Sequence, residues 1–222
     1  MIVRLVGSEM CIRDRSSMGA LIDLDSIKSA PVEDTFFPFF SVPNCISDTE
    51  KSLAKEFPNL EKGGSYPSDM PGLSGKIKKL ISEIESDAMK EILSEKFQVD
   101  LSNTEVITTL RGYSRMKDGK IHTDSKSKVL TFLLYLNEEW DNEKGLLRML
   151  KNNFDLEDFI EEIPASFGSL VVFKVTENCW HGFHPVEGKR LSMQMNYVKK
   201  ASVSSLSLIH ISETTRRTII SY

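Results

Sequence analysis

The chain has 222 residues, 40% of them hydrophobic, and a formal net charge of −4 at pH 7. An acidic chain lacks the basic face that a general nucleic-acid binder needs, so we expect no nucleic-acid partner. No apolar run reaches the roughly 18 residues of a transmembrane helix, so no membrane association is predicted. Of the three cysteines, Cys11 lies near the N-terminus, within residues 5–15. The other two, Cys45 and Cys179, do not make a disulfide framework and favour a reducing compartment, the cytoplasm.

The two ends of the chain are related to each other at the DNA level. Residues 5–15 read LVGSEMCIRDR, and one DNA sequence encoding them has a reverse complement that translates as LSLIHISEPTR. Residues 206–216 read LSLIHISETTR, which differs only at Thr214. The string resembles a transposase adapter used in sequencing libraries. We therefore expect residues 1–15 and 206–222 to be translated adapter artefacts that take no part in the fold.

The N-terminal half of the remaining chain is predicted to be mainly helical. Phe and Pro side chains favour an extended segment over residues 31–46. A capping-box motif, SDTE, predicts a short helix over about 48–57. Gly and Pro residues predict a loop over 62–73. Apolar residues recur every three or four positions between Ile77 and Leu93, which predicts one amphipathic helix of about 20 residues.

The C-terminal half is predicted to consist of short strands, because its β-branched and aromatic runs are separated by turn-forming residues. The predicted strands are residues 105–115, 128–137, 145–150, 168–175 and 190–198. Residues 128–137 are apolar at successive positions, as is typical of a strand covered on both faces. Helices followed by strands predict an α+β fold with a double-stranded β-helix (jelly-roll) core. We expect one domain over residues 16–205, in which residues 16–104 give helical support to a core over 105–198.

Three residues suggest a metal site. His122 and Asp124 form an H-x-D motif, and His181 follows 57 residues after Asp124. Two imidazoles and one carboxylate are the ligands that hold iron(II) on one face and leave the other face open. On a strand, the i and i+2 spacing would project the first two side chains from the same face. A solvated turn is the alternative reading of the H-x-D motif taken alone.

The chain resembles the iron(II)- and 2-oxoglutarate-dependent dioxygenases at these positions, in particular their prolyl-4-hydroxylase-like branch. The resemblance spans about residues 105–198. The pattern of that family is H-x-D, a distal histidine and a basic residue nine or ten positions later. The residues that match it in order and spacing are His122, Asp124, His181 and Arg190.

The resemblance implies iron(II) as the metal and 2-oxoglutarate as the co-substrate. The residues implied to contact 2-oxoglutarate are Arg190, Ser192, Tyr135 and Tyr113. An arginine offers a planar fork of donors that suits a distal carboxylate. The expected reaction combines dioxygen, 2-oxoglutarate and an unidentified substrate, and it releases succinate and CO2. Ascorbate is a candidate reductant, and no catalytic residue beyond the metal ligands is implied.

Neighbouring residues offer alternatives to this assignment. His184 competes with His181 as third ligand, but it lies only six residues before Arg190, which fits the family spacing poorly. We therefore place His184 on the substrate side of the site, together with Trp140. Cys179 would suit zinc or copper better than iron(II), and it is predicted to be buried filler.

The substrate is expected to be either a peptidyl proline or a small metabolite. Two other functions compete with hydroxylation: a non-catalytic metal-binding jelly roll that serves as sensor or scaffold, and a hydrolytic zinc enzyme. Arg190 argues against the first, because a bare metal site needs no remote carboxylate anchor. The second would need a general base beside the metal, and the sequence identifies none. Oligomeric state is not predicted by the sequence.

Overall fold

The computed structural model describes residues 19–200 of the chain. The two predicted adapter segments, residues 1–15 and 206–222, lie outside the described residues. No helix among residues 19–200 is both long and apolar enough to cross a membrane.

Within the described residues, four α-helices and one 3-10 turn lie before the long strand Thr104–Ser114. The helices are α1 (Leu24–Ser29), α2 (Leu53–Glu56), α3 (Gly75–Ile84) and α4 (Asp87–Phe97), and the 3-10 turn is Asp48–Glu50. The prediction of one amphipathic helix from Ile77 to Leu93 is wrong, because the chain forms α3 and α4 instead. The hydroxyl of Ser86 accepts a hydrogen bond from the backbone N–H of Met89 at 3.2 Å, so Ser86 caps the N-terminus of α4.

The short helix predicted over residues 48–57 is only partly present. Ser47 accepts the backbone N–H of Thr49 rather than that of Glu50, so the reciprocal bonds of a capping box do not form. The 3-10 turn and the single turn of α2 occupy this segment in its place.

Nine strands form two antiparallel sheets in residues 19–200. They are β1 (Phe39–Val42), β2 (Tyr66–Pro67), β3 (Thr104–Ser114), β4 (Lys128–Tyr135), β5 (Leu147–Leu150), β6 (Phe159–Ile163), β7 (Leu170–Lys174), β8 (His181–Gly182) and β9 (Gly188–Lys199). The larger sheet has the order β1-β7-β4-β9-β3-β2, and the smaller has the order β6-β5-β8. The α+β fold with a jelly-roll core is therefore confirmed, although its sheets do not close into a barrel.

All five predicted strands are present, with ends shifted by a few residues. They correspond to β3, β4, β5, β7 and β9. β1 lies inside the predicted extended segment, whereas β2 lies in the predicted loop over residues 62–73. β6 was missed because two of its five residues, Glu161 and Glu162, are acidic and obscure the apolar pattern of a strand.

The larger sheet carries an apolar layer on each face. On β4, Leu130, Phe132 and Leu134 are fully buried and belong to the cluster that contains the helices. Tyr135 belongs to a second cluster between the two sheets, against which Leu133 also packs. The prediction of a strand covered on both faces is thus confirmed, and one of these faces lines the cavity described below.

We propose that the two end segments contribute nothing to this fold. The described core lies between Leu21 and Val198. Deleting residues 1–15 and 206–222 is therefore expected to leave the midpoint of thermal unfolding, measured by circular dichroism, unchanged. Phe132→Ala provides the comparison, because emptying this buried position should cost about 3–5 kcal/mol of stability. A loss of stability on trimming as large as that of Phe132→Ala would contradict the proposal.

Candidate active site

One antiparallel β-bridge brings His122 next to His181. The backbone N–H of each residue donates to the carbonyl of the other, both at 3.0 Å. Such a reciprocal pair holds the two Cα atoms about 5.5 Å apart, with both side chains on the same side of the backbone. The centroids of the imidazole rings are accordingly 4.3 Å apart. Gly182 permits this approach, because a Cβ there would lie 2.8 Å from the carbonyl oxygen of Gly119.

The carboxylate of Asp124 joins the two imidazoles. One ligand atom from each of His122, Asp124 and His181 lies within 4.8 Å of the other two. Asp124 Oδ1 is 3.7 Å from the Nε2 atom of each histidine. Within residues 19–200, no other group of three His, Cys, Asp or Glu side chains comes as close. The side chains converge although His122 forms only an isolated bridge and Asp124 lies outside any strand.

Both imidazole rings are oriented by backbone carbonyls. Nδ1 of His122 lies 2.8 Å from the carbonyl of Lys120, and Nδ1 of His181 lies 2.8 Å from the carbonyl of Cys179. A carbonyl only accepts hydrogen bonds, so Nδ1 of each ring carries a proton. The Nε2 atom of each ring faces Asp124.

The electrostatics of the cluster suit a cation. Burial, reinforced by the neighbouring His122, lowers the pKa of His181 to about 4, so this ring is neutral near pH 7. Burial alone would raise the pKa of Asp124. The charge of Lys128 and the hydrogen bonds from Lys128 and Thr131 outweigh it and hold that pKa below its usual value. The cluster therefore offers one charged oxygen and at least one neutral nitrogen.

The two carboxylate oxygens of Asp124 have different partners. Oδ2 accepts from Lys128 Nζ at 3.0 Å and from Thr131 Oγ1 at 2.6 Å, whereas Oδ1 faces the two imidazoles. Two nitrogens and one oxygen converging from one side fit a divalent transition metal with open positions on its other side. Cys179 is buried and its Sγ lies 3.2 Å from the carbonyl of Thr176, away from the cluster, in agreement with its predicted role as filler.

The cluster lines a cavity of about 280 Å³ between the two sheets. Arg190, Tyr135 and Ser192 line the same cavity, so the structure brings these three predicted residues together with the metal cluster. Burial raises the pKa of Tyr135, with Arg190 opposing, and the phenol stays protonated near pH 7. Its oxygen accepts from Arg190 Nη2 at 3.0 Å, which leaves its own proton free to donate.

The guanidinium of Arg190 is held in one position. Its Nε and Nη2 atoms donate to the carbonyl of Gly145 at 3.0 and 2.8 Å. Gly145 has a φ of 80°, which a residue with a side chain rarely adopts, and this conformation presents its carbonyl to the arginine. The rings of Phe183 and Tyr135 lie 4.2 and 5.0 Å from the guanidinium carbon. Nη1 has no hydrogen-bond partner in the described part of the chain and is free for a ligand.

Three predicted residues lie outside this cavity. The hydroxyl of Tyr113 is 3.5 Å from Glu187, and its ring lines a separate surface cavity. His184 Nε2 lies 2.5 Å from a carboxylate oxygen of Glu157, in an ionic cluster. Trp140 donates its indole N–H to the carbonyl of Lys144 and lines a third cavity. None of the three lines the cavity that contains the metal cluster.

Five other polar side chains of the cavity were not predicted from the sequence. They are Lys128 and Thr131 beside Asp124, and Ser65, Arg111 and Gln194 farther along the wall. Alternation along β3 could not have indicated Arg111, because the strand register shifts between Arg111 and Tyr113, and Tyr113 lies outside the cavity. Nothing in the sequence distinguished Thr131 from the apolar residues around it.

The fold and the clustered side chains together define a jelly-roll protein with a candidate non-haem metal site. Residues 110–198 match the family model of the 2OG-Fe(II) oxygenase superfamily, whose members use iron(II) and 2-oxoglutarate. The match covers most of the segment in which the sequence resembles that superfamily, and the resemblance is confirmed there. No curated protein matches the sequence.

Solved structures show the same fold. A prolyl-4-hydroxylase from Pseudomonas putida matches with a TM-score of 0.56 and 18% identity, over 80% of this chain and 91% of that chain. HygX from Streptomyces hygroscopicus with iron bound matches with a TM-score of 0.52 and 16% identity, over 75% and 84%. The structure of HygX with nickel and 2-oxoglutarate bound matches with a TM-score of 0.52 and 14% identity, over 75% of this chain and 84% of that chain. At these identities the likeness concerns the fold alone.

Thr131 is expected to strengthen metal binding through Asp124. Thr131→Val removes the hydroxyl that donates to Oδ2 and should weaken Mn(II) binding, measured by calorimetry, about 10- to 100-fold. Thr131→Ser keeps the hydroxyl and should retain most of the affinity. Equal affinities of the valine and serine variants would show that this hydrogen bond does not influence the metal.

Proposed function

We propose that the protein is an iron(II)- and 2-oxoglutarate-dependent oxygenase that hydroxylates a C–H bond of its substrate and releases succinate and CO2. One observation carries the proposal. His122, Asp124 and His181 converge in the same cavity that Arg190 lines. A metal site and a carboxylate anchor in one cavity are what a bound dicarboxylate co-substrate requires.

The metal would be held by His122 Nε2, Asp124 Oδ1 and His181 Nε2. Iron(II) bound there would supply the activation of dioxygen and of the 2-oxo acid. The chain's own contribution is to orient the three ligand atoms. Lys128 and Thr131 hold Asp124 so that only one of its oxygens faces the imidazoles.

The far end of the cavity suits the distal carboxylate of 2-oxoglutarate. Nη1 of Arg190 and the hydroxyl protons of Tyr135 and Ser192 are donors for that carboxylate. On β4, Thr131 beside Asp124 and Tyr135 beside Arg190 share one face, and four residues of strand separate their Cα atoms by about 13 Å. The side chains of Asp124 and Arg190 reach into the cavity from its two ends and shorten this distance. An extended five-carbon diacid bound to the metal can span what remains.

The cavity wall would also control access of water. The rings of Phe173, Phe183 and Tyr135 and the side chains of Leu133 and Leu147 line the space between the two polar ends. This apolar lining favours a dry site, in which the charged interactions with the co-substrate are stronger than in water. Both a peptidyl proline and a small metabolite remain proposed substrates of such a site.

The competing functions receive less support from the contacts. A non-catalytic metal-binding jelly roll would have no use for Arg190, whose position is fixed by three hydrogen bonds with one donor atom free. A hydrolytic zinc enzyme needs a general base beside the metal. Asp124 is the one acidic side chain that lines the described cavity, and it is itself a candidate ligand.

The metal assignment is tested by anaerobic titration of the protein with iron(II) and 2-oxoglutarate. We expect a visible charge-transfer band and, after oxygen is admitted, succinate formation even without substrate. Asp124→Ala should abolish both, because it removes the charged ligand. Asp141→Ala, at an exposed position outside the cavity, should change neither. A wild-type protein without band or succinate, or an Asp124→Ala variant with full activity, would refute the assignment.

The co-substrate assignment is tested by the 2-oxoglutarate dependence of succinate formation. Arg190→Gln should raise the KM for 2-oxoglutarate about 10- to 100-fold, since it removes a charge-assisted contact worth roughly 1.5–3 kcal/mol. Lys189→Gln removes the same charge from the adjacent, exposed position and should leave the KM unchanged. An unaltered KM in the Arg190→Gln variant would exclude this residue as the carboxylate anchor.

A further inference from the structure

We infer that the cavity has a second anion-binding position at Arg111, separate from Arg190, and that the primary substrate carries a negatively charged oxoacid group that binds there. The inference rests on the proposed function, because it names the substrate class of the same cavity. It favours a small acidic molecule over a neutral peptidyl proline.

The strand register places Arg111 in the wall of the cavity. Arg111 on β3 is paired with Ser192 on β9, and Ser192 is paired on its other side with Tyr135 on β4. The three residues therefore form a row across adjacent strands, and all three line the cavity. Neighbouring strands are about 4.8 Å apart, so the backbones at Arg111 and Tyr135 are separated by about 10 Å.

The strand register places Arg111 on the β3 side of Ser192, whereas Tyr135, a partner of Arg190, lies on its β4 side. Arg190 is bound to Gly145 and Tyr135, which places its guanidinium on the β4 side of β9. Arg111 extends from β3, next to Ser65 from the segment before β2. The two cationic side chains thus enter the cavity from different strands, and Tyr135, the hydroxyl expected to assist co-substrate binding, is hydrogen-bonded to Arg190.

The charge of Arg111 has no direct partner in the described part of the chain. Its side chain is partly buried, and within residues 19–200 it forms no hydrogen bond and no ion pair. Burial lowers its pKa. Asp118 opposes this effect, whereas the charges of Arg190 and Arg115 add to it. Burying a guanidinium without a partner is costly, and an anion bound beside it would remove that cost.

The other charges of the cavity already have partners. The cationic side chains that line it are Arg111, Lys128 and Arg190, and the acidic one is Asp124. Lys128 is paired with Asp124 at 3.0 Å. In the proposed complex the two carboxylates of 2-oxoglutarate would lie at the metal and at Arg190. Arg111 is then the one cation of the described cavity wall without a counter-charge, and an acidic substrate supplies it.

The test uses the full chain loaded anaerobically with iron(II) and 2-oxoglutarate. Sulfate and acetate are titrated in separate calorimetric experiments, with ionic strength matched by chloride. At least one anion should bind to the wild type and bind at least about tenfold more weakly to Arg111→Gln. Arg111→Lys, which keeps the charge but loses the fork, should fall between them. Preference for sulfate indicates a phosphate-like group, and preference for acetate indicates a carboxylate.

Two controls separate this position from its surroundings. Lys117→Gln removes an equivalent charge from an exposed position in the turn after β3 and should not change anion binding. The dissociation constant of 2-oxoglutarate should be little altered in Arg111→Gln but strongly raised in Arg190→Gln. Should Arg111→Gln fail to fold, the comparison of wild type with Arg111→Lys decides, with several-fold weaker anion binding expected.

Two results would overturn the inference. Equal anion affinities of the wild type and the Arg111 variants would show that no anion binds at this arginine. A loss of 2-oxoglutarate affinity in Arg111→Gln as large as in Arg190→Gln would assign Arg111 to the co-substrate. Failure of the proposed function would be a different result, because the wild type would then show no charge-transfer band. The anion titrations would still measure binding at Arg111.

Discussion

The paired backbones of His122 and His181 are the constraint on which the rest of the site depends. Each residue donates its amide to the carbonyl of the other, so the spacing of the imidazoles is set by the backbone. Flexible side chains alone would have to lose rotamer freedom to reach the same geometry. The bridge also joins the segment after β3 to the smaller sheet through β8, which fixes one end of the cavity between the sheets.

The distribution of charge along the cavity then follows from the strand register. One carboxylate oxygen of Asp124 accepts hydrogen bonds from Lys128 and Thr131, and the other faces the imidazoles. At the other end, Arg190 is fixed by neutral acceptors, so its charge remains available to a ligand. An enzyme that binds a dianion beside a metal needs its own carboxylate at the metal and an unpaired cation at the other end of the cavity. Because Asp124 is paired with Lys128, no acidic side chain of the described cavity wall is left to pair with Arg111. This excess of positive charge points to an acidic substrate.

The sequence predicted the fold class from alternation along the strands. It predicted that His122, Asp124 and His181 converge from the H-x-D spacing and from the distal histidine with its following arginine. The sequence did not predict that Arg111 lines the cavity. Its position beside Ser192 depends on the register between β3 and β9. The break between α3 and α4 was missed because Ser86 fits the polar face of one long helix as well as it caps a new one. Loop contacts such as that of His184 with Glu157 depend on tertiary structure that no spacing encodes.

Iron K-edge X-ray absorption of the anaerobic complex with 2-oxoglutarate tests the central claim most directly, because it counts the ligands at the metal. The account predicts scattering from two imidazoles with oxygen at the remaining positions, and one imidazole fewer after His181→Ala. A sulfur ligand, which would point to Cys179, or an unchanged imidazole count in the His181→Ala variant would contradict the account.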